Sequence, residues 1–139
     1  MKLRRETKLD LLRSVPIFSA CTKQELEAIA SEADELTVPA GRELTEEGKT
    51  GREFVVLVSG AADVRQGGET VNQLAGGDFL GEIALLTGRK RTATVVMTAQ
   101  SDILVLTERA FRRATDAVPS LAASVNDALA GRLRDDATV

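Results

Sequence analysis

Glycine limits what the middle of this chain can become. Between Leu36 and Thr107, Gly60, Gly67-Gly68 and Gly76-Gly77 cut β-branched and apolar runs into short pieces. Glu53-Phe54-Val55-Val56-Leu57-Val58 is continuous and apolar, the pattern of a strand covered on both faces. Thr92-Ala93-Thr94-Val95-Val96-Met97 and Ile103-Leu104-Val105-Leu106 extend the series. Strands this short, divided by glycine turns, close into a sandwich or small barrel rather than one open sheet.

The flanks change period. Thr22-Lys23-Gln24-Glu25 has the spacing of a capping box, and Leu26, Ile29, Ala30 and Ala33 follow at helical intervals. Upstream, Leu9, Leu12 and Val15-Pro16 suggest a short helix stopped by proline. Pro39-Ala40-Gly41 reads as a turn. After Glu108, Ala110, Phe111 and Ala114 resume helical spacing, Pro119 interrupts it, and Leu121, Val125, Ala128, Leu129 and Leu133 continue. The expected fold is mainly β with flanking helices (α+β), a jelly-roll-like β-roll in one domain over residues 1–139. N-terminal helices are expected at about 5–34, the roll at about 36–107 and two exit helices at about 108–134, packed on the roll because neither end is stable alone.

Composition removes whole classes of function. The chain has no histidine, which excludes Ser-His-Asp and Cys-His catalysis and His-ligated zinc. A single cysteine, Cys21, forbids an intrachain disulfide and a Cys metal cluster, and it suits a reducing compartment. A net charge of −3, with no Trp or Tyr and only four Phe, argues against direct nucleic-acid binding. Apolar runs are too short to span a bilayer. Met1-Lys2-Leu3-Arg4-Arg5 opens like a signal sequence, but Glu6, Lys8, Asp10 and Arg13 deny it an apolar stretch. These features point to a soluble, cytoplasmic protein that is not an enzyme. Gly48-Lys49-Thr50 imitates the end of a phosphate-binding P-loop, yet that pattern needs glycine where the chain has Glu43.

The chemistry concentrates in residues 77–94, Gly-Asp-Phe-Leu-Gly-Glu-Ile-Ala-Leu-Leu-Thr-Gly-Arg-Lys-Arg-Thr-Ala-Thr. A short helix is expected from Gly81-Glu82, with Gly81 permitting close backbone approach and Ile83 and Ala84 offering unpaired amides to an anion. An arginine from the next loop can add a planar, two-pronged contact to a phosphate. Glu82 beside an anion is repulsive unless it accepts from a hydroxyl of the same ligand. A ribose 3′,5′-cyclic phosphate carries both groups. The same residues also fit a plain helix start with a favourable Glu and a solvated Arg-Lys-Arg loop.

This segment resembles the phosphate-binding cassette of the cyclic nucleotide-binding domain family, which includes the bacterial catabolite activator protein, regulatory subunits of cAMP-dependent kinase and cyclic-nucleotide-gated channels. The family pattern, G-E-hydrophobic-small-hydrophobic then R-S/T/A-A-T/S, is met by Gly81-Glu82-Ile83-Ala84-Leu85 and Arg91-Thr92-Ala93-Thr94. Gly48, Gly51, Phe54 and Gly60 fit its strand-and-turn pattern, and Leu9, Leu12, Pro16 and Phe18 its first helix, so the likeness spans about residues 8 to 134. The resemblance implies a sensor that binds cAMP or cGMP, needs no cofactor or metal, and signals by movement of its exit helices. Arg91 then holds the exocyclic oxygens, Glu82 accepts from the ribose 2′-OH, and Ile83, Ala84 and Thr92 add further donors. Val64, Val71 and Leu80 fall where the family lines its purine pocket. Arg89 and Lys90 match no family position. On the last helix Arg132 extends the stripe of Val125 and Ala128 and is the candidate to lie on the purine as a lid. The residues after Thr107 are too few for a lid and a DNA-reading module together, so the expected partner is an effector protein or domain. Two alternatives stay open: a ligand-free interaction scaffold, and the sensor half of a transcription factor.

Overall fold

The computed structural model describes residues 3–132. Helix α1 (Arg5–Arg13) ends before Val15, which is extended because it precedes Pro16. A single 3-10 turn, Pro16–Phe18, leads to α2 (Lys23–Glu32). The capping box is present: Glu25 N–H donates to Thr22 Oγ1 (3.2 Å) and Thr22 N–H to Glu25 Oε1 (2.8 Å). Eight strands follow: β1 (Asp34–Val38), β2 (Glu43–Thr45), β3 (Glu53–Ser59), β4 (Ala61–Gln66), β5 (Glu69–Ala75), β6 (Phe79–Leu80), β7 (Thr94–Met97) and β8 (Ser101–Thr107). The six-residue α3 (Glu82–Thr87) lies between β6 and β7, while α4 (Glu108–Ala117) and α5 (Ser120–Arg132) follow β8.

The strands form two antiparallel four-stranded sheets, ordered β1-β8-β3-β6 and β2-β7-β4-β5. The β4–β5 hairpin turns through Gly67 and Gly68, both at positive φ, which suits the right-handed twist of its strands. Strand β3 is buried on both faces, as its continuous apolar run predicts, and its alternation divides it between two cores. Val55 and Leu57 enter the roll with Val64, Leu80, Ala93, Val95, Met97 and Ile103. Phe54 and Val56 join Leu104 and Leu106 of β8 in a second core shared with the helices. Phe18 meets Phe54 edge-on there at 5.7 Å between ring centres, and the Phe111 ring lies 6.4 Å from Phe18.

Strand β7 starts at Thr94, two residues later than the run Thr92–Met97 suggests. Arg91 donates its N–H to Lys49 C=O (2.8 Å) and accepts from Gly48 N–H (2.9 Å), so the chain reaches β4 only at Thr94. Thr107 closes β8 and also caps α4, its Oγ1 accepting from Ala110 N–H at 3.1 Å. The apolar stripe of α5, expected on the roll, enters the core that β3 and β8 share with the other helices. Leu121 and Val125 are both 0% exposed and pack with the N-terminal helices, and Ala128 is partly buried against the same cluster. Each buried side chain contributes roughly 1.5–3 kcal/mol to holding the helix there. Leu133 lies outside the described residues.

Candidate functional site

Gly81 opens the site. It caps α3 at φ 84°, ψ 12°, a conformation natural to glycine, and its carbonyl accepts from Leu85 N–H at 3.0 Å. Glu82 is fully buried, and Ile83, Ala84 and Leu85 are buried behind it. The first-turn amides of so short a helix have no acceptor within the helix itself. Leu80, in β6, is 1% exposed in the roll interior, as is Val64 in β4 beside Val95 of β7.

Arg91 reaches the same place from the far side of the loop. Its side chain is only 6% exposed. Nη2 donates to Glu53 C=O (2.7 Å) and reaches Glu53 Oε2 at 3.4 Å. Nη1 is buried with no hydrogen-bond partner among the described residues. The guanidinium fits because two neighbours lack side chains. A Cβ at Gly81 would stand 2.5 Å from Nη1, and one at Gly51 would stand 2.9 Å from Nε. Burial lowers the Arg91 pKa and the Glu53 carboxylate opposes that shift, so the group keeps its charge.

The structure therefore brings Gly81, Glu82, Ile83, Ala84, Leu80 and Arg91 together. Thr92 is exposed beside them, its carbonyl accepting from Gln66 Nε2 at 3.0 Å. Val71 stands apart from the buried set, 53% exposed at the β5 bulge where the β4 register shifts. Arg89 and Lys90 are exposed. Arg132 ends α5, and its side chain lies outside the described residues. The P-loop imitation is a turn whose backbone pairs with Arg91 and, through Thr50, with Lys90. It leads into β3 rather than a helix.

Sequence reasoning missed two partners of the cassette. Glu53, the Arg91 acceptor, reads in sequence as an ordinary strand start. Arg52 lies across Gly88, the α3 C-cap, where a Cβ would meet its Nη2 at 2.5 Å. The same guanidinium pairs with Glu108 Oε2 (3.0 Å), and Glu108 N–H donates to Arg52 C=O (3.1 Å). The hydrogen bond from Arg52 is the main cause that holds the Glu108 carboxyl below the ordinary glutamate range, with Arg112 at 2.8 Å assisting. Arg52 thus joins the end of α3 to the start of α4.

Among the described residues, no group of His, Cys, Asp and Glu is placed to hold a metal ion, and no helix is long and apolar enough to cross a membrane. A cavity of about 490 Å³ lies away from the cassette, between α1, α2 and β1, lined by Arg5, Lys8, Glu27 and Glu35 among others.

Comparison with known proteins agrees with this geometry. The family described as "Cyclic nucleotide-binding domain" matches residues 35–117. A cAMP-dependent protein kinase regulatory subunit of Colletotrichum orbiculare is 36% identical over 112 residues, covering 79% of this chain and 29% of that protein. The regulatory subunit of Mycosarcoma maydis is 35% identical over 111 residues, covering 73% of this chain and 21% of its own length. The chain therefore spans less than a third of these relatives. Among solved structures, the N-terminal domain of a transcriptional regulator from Streptomyces coelicolor superposes with a TM-score of 0.81 at 24% identity, covering 94% of this chain and 98% of that one. A cyclic nucleotide-binding-like protein from Brucella abortus gives 0.73 at 26% identity, covering 78% and 97%. From its sequence, its two-sheet roll and its cassette, this chain belongs to the cyclic nucleotide-binding domain family.

Proposed function

We propose that the chain is a cyclic-nucleotide sensor that binds cAMP, with cGMP as the alternative ligand, and passes occupancy to its C-terminal helices without catalysing a reaction. The observation that carries this reading is Arg91: a buried guanidinium with one amine on Glu53 and the other unpartnered, beside the backbone of Gly81. A guanidinium has five N–H donors, so Arg91 can keep Glu53 and still grip the exocyclic oxygens of a cyclic phosphate. In this reading Glu82 accepts from the ribose 2′-OH, and the Ile83, Ala84 and Thr92 backbone donors complete the anion's shell. Leu80 and Val64 form the apolar wall, Val71 contributes at its rim, and Arg132 is the lid residue.

The preference for cAMP is supported by the kinase regulatory subunits among the relatives and by a fold shared with a structure described as cAMP-bound PfPKA-R (TM-score 0.67, 23% identity, covering 88% of this chain and 46% of that one). The sensor requires no cofactor or metal and works through an effector protein or domain in the cytoplasm. Calorimetric titration with cAMP and cGMP tests it. Saturable heat with cAMP is expected. Silence with both nucleotides at millimolar concentration would favour a ligand-free scaffold, in which Arg91 serves only to staple the cassette loop to Glu53.

A further inference from the structure

Glu25 has a role that the capping box does not use up. It is 2% exposed, and its carboxylate gathers donors from two distant parts of the chain. Oε1 accepts from Thr22 N–H, while Oε2 accepts from Ser120 Oγ at 2.7 Å. Ser124 Oγ lies 3.2 Å from each oxygen. Ser120 and Ser124 are one turn apart on α5 and flank Leu121 and Val125, the two fully buried apolar residues of that helix. The first half of α5 is therefore fixed by two apolar anchors and a buried carboxylate together.

Beyond Val125 the attachment changes. Asn126, Asp127, Ala130 and Gly131 are exposed, and Ala128 and Leu129 are only half-buried. Gly131 weakens the helix further. Segments with few buried contacts open first. Releasing the first half would strip a buried carboxylate of two hydroxyl donors and expose two core side chains, whereas rearranging the second half disturbs neither.

We infer that Glu25 is a positioning residue that divides α5 into a fixed half, Ser120 to Val125, and a responsive half that begins at Asn126. The inference rests on the sensor reading and adds where its output starts. A ligand shifts only what its differential affinity can move, so the weakly held half responds and the clamped half stays.

Hydrogen exchange of the full chain with and without saturating cAMP, on a sample whose binding is followed by calorimetry, tests this. Protection is expected to rise at amides 126–132 and to stay unchanged at 121–125. The double variant Ser120→Ala/Ser124→Ala keeps the capping box and every cassette residue. In it, apo exchange at 121–125 should quicken at least about tenfold, and those amides should become nucleotide-responsive. A purely structural clamp would quicken exchange equally with and without nucleotide, which overturns the inference. Calorimetric heat accompanied by equal protection across all of α5 in the wild type also overturns it, alone. Absence of heat overturns the sensor reading and this inference with it.

Discussion

Among the described residues, Glu25 and Arg91 are charged side chains buried under opposite conditions. Glu25, between α2 and α5, has both oxygens occupied by one backbone amide and two hydroxyls. Arg91, between Gly51 and Gly81, has one amine on Glu53 and the other without a partner among the described residues. A buried charge whose hydrogen-bonding capacity is filled holds a structure together. One left partly unfilled bears a desolvation cost that an incoming anion can offset. The helical end of the domain has its buried carboxylate saturated, and the cassette holds one guanidinium donor in reserve.

Substitutions can break that contrast. Arg91→Ala should weaken cAMP binding about 30-fold to 1000-fold, roughly 2–4 kcal/mol, while leaving the melting temperature far less changed than loss of Glu25 does. Calorimetry and thermal melting of the same preparation check both halves; a large melting shift with unaltered affinity would reverse the roles assigned here. Glu25→Ala should do the opposite, removing about 2–3 kcal/mol of stability through the lost cap and two stranded hydroxyls, with intrinsic phosphate recognition intact. Denaturant titration measures it.

Gly81→Ala comes next, at about 1–3 kcal/mol, since alanine at φ 84° is strained and its Cβ would stand 2.5 Å from both Glu53 O and Arg91 Nη1. It should lower both stability and affinity, because the arginine slot is also the helix cap. A variant that bound normally would show that the slot is not needed.

The smallest effect is in pH. The Glu25 carboxyl is held below its ordinary value, first by the Thr22 amide and then by Ser120, with burial opposing. Its folded pKa lies below its unfolded one, so the charge stabilises fully above about pH 4.3 and that stability is lost as pH falls through the folded value. Glu25→Gln has nothing to titrate there. The stability gap between wild type and this variant should therefore narrow as pH falls below about 4.3, and a constant gap would mean that the charge itself contributes nothing.

The sequence exposed local chemistry well and long-range pairing poorly. The Thr22–Glu25 box is a spacing within four residues and could be read directly. That the same carboxylate meets Ser120 and Ser124 depends on how α2 and α5 pack, which no local pattern encodes. In the cassette, the helix start at Gly81 was legible as a local pattern, whereas Arg91 was singled out from the basic loop by the family resemblance. Glu53 and Arg52 were not legible, since β3 reaches the cassette only through the sheet. The stripe of α5 was visible as apolar spacing, but spacing names a buried face without naming the core that takes it. Cys21 carries no signal of either kind; burial, with Glu25 nearby, pushes its thiol up to about 11, and it is chemically quiet.

Thr107 has a consequence of another sort. It is the last residue of β8 and the cap of α4 at once, so no loop separates the sheet from the exit helix. Helical phase is thereby locked to the strand register. One residue inserted after Thr107 would turn the faces of α4 by about 100° and swing Phe111 away from Phe18. The exit helix α4 inherits its bearing from the sheet with no swivel in between.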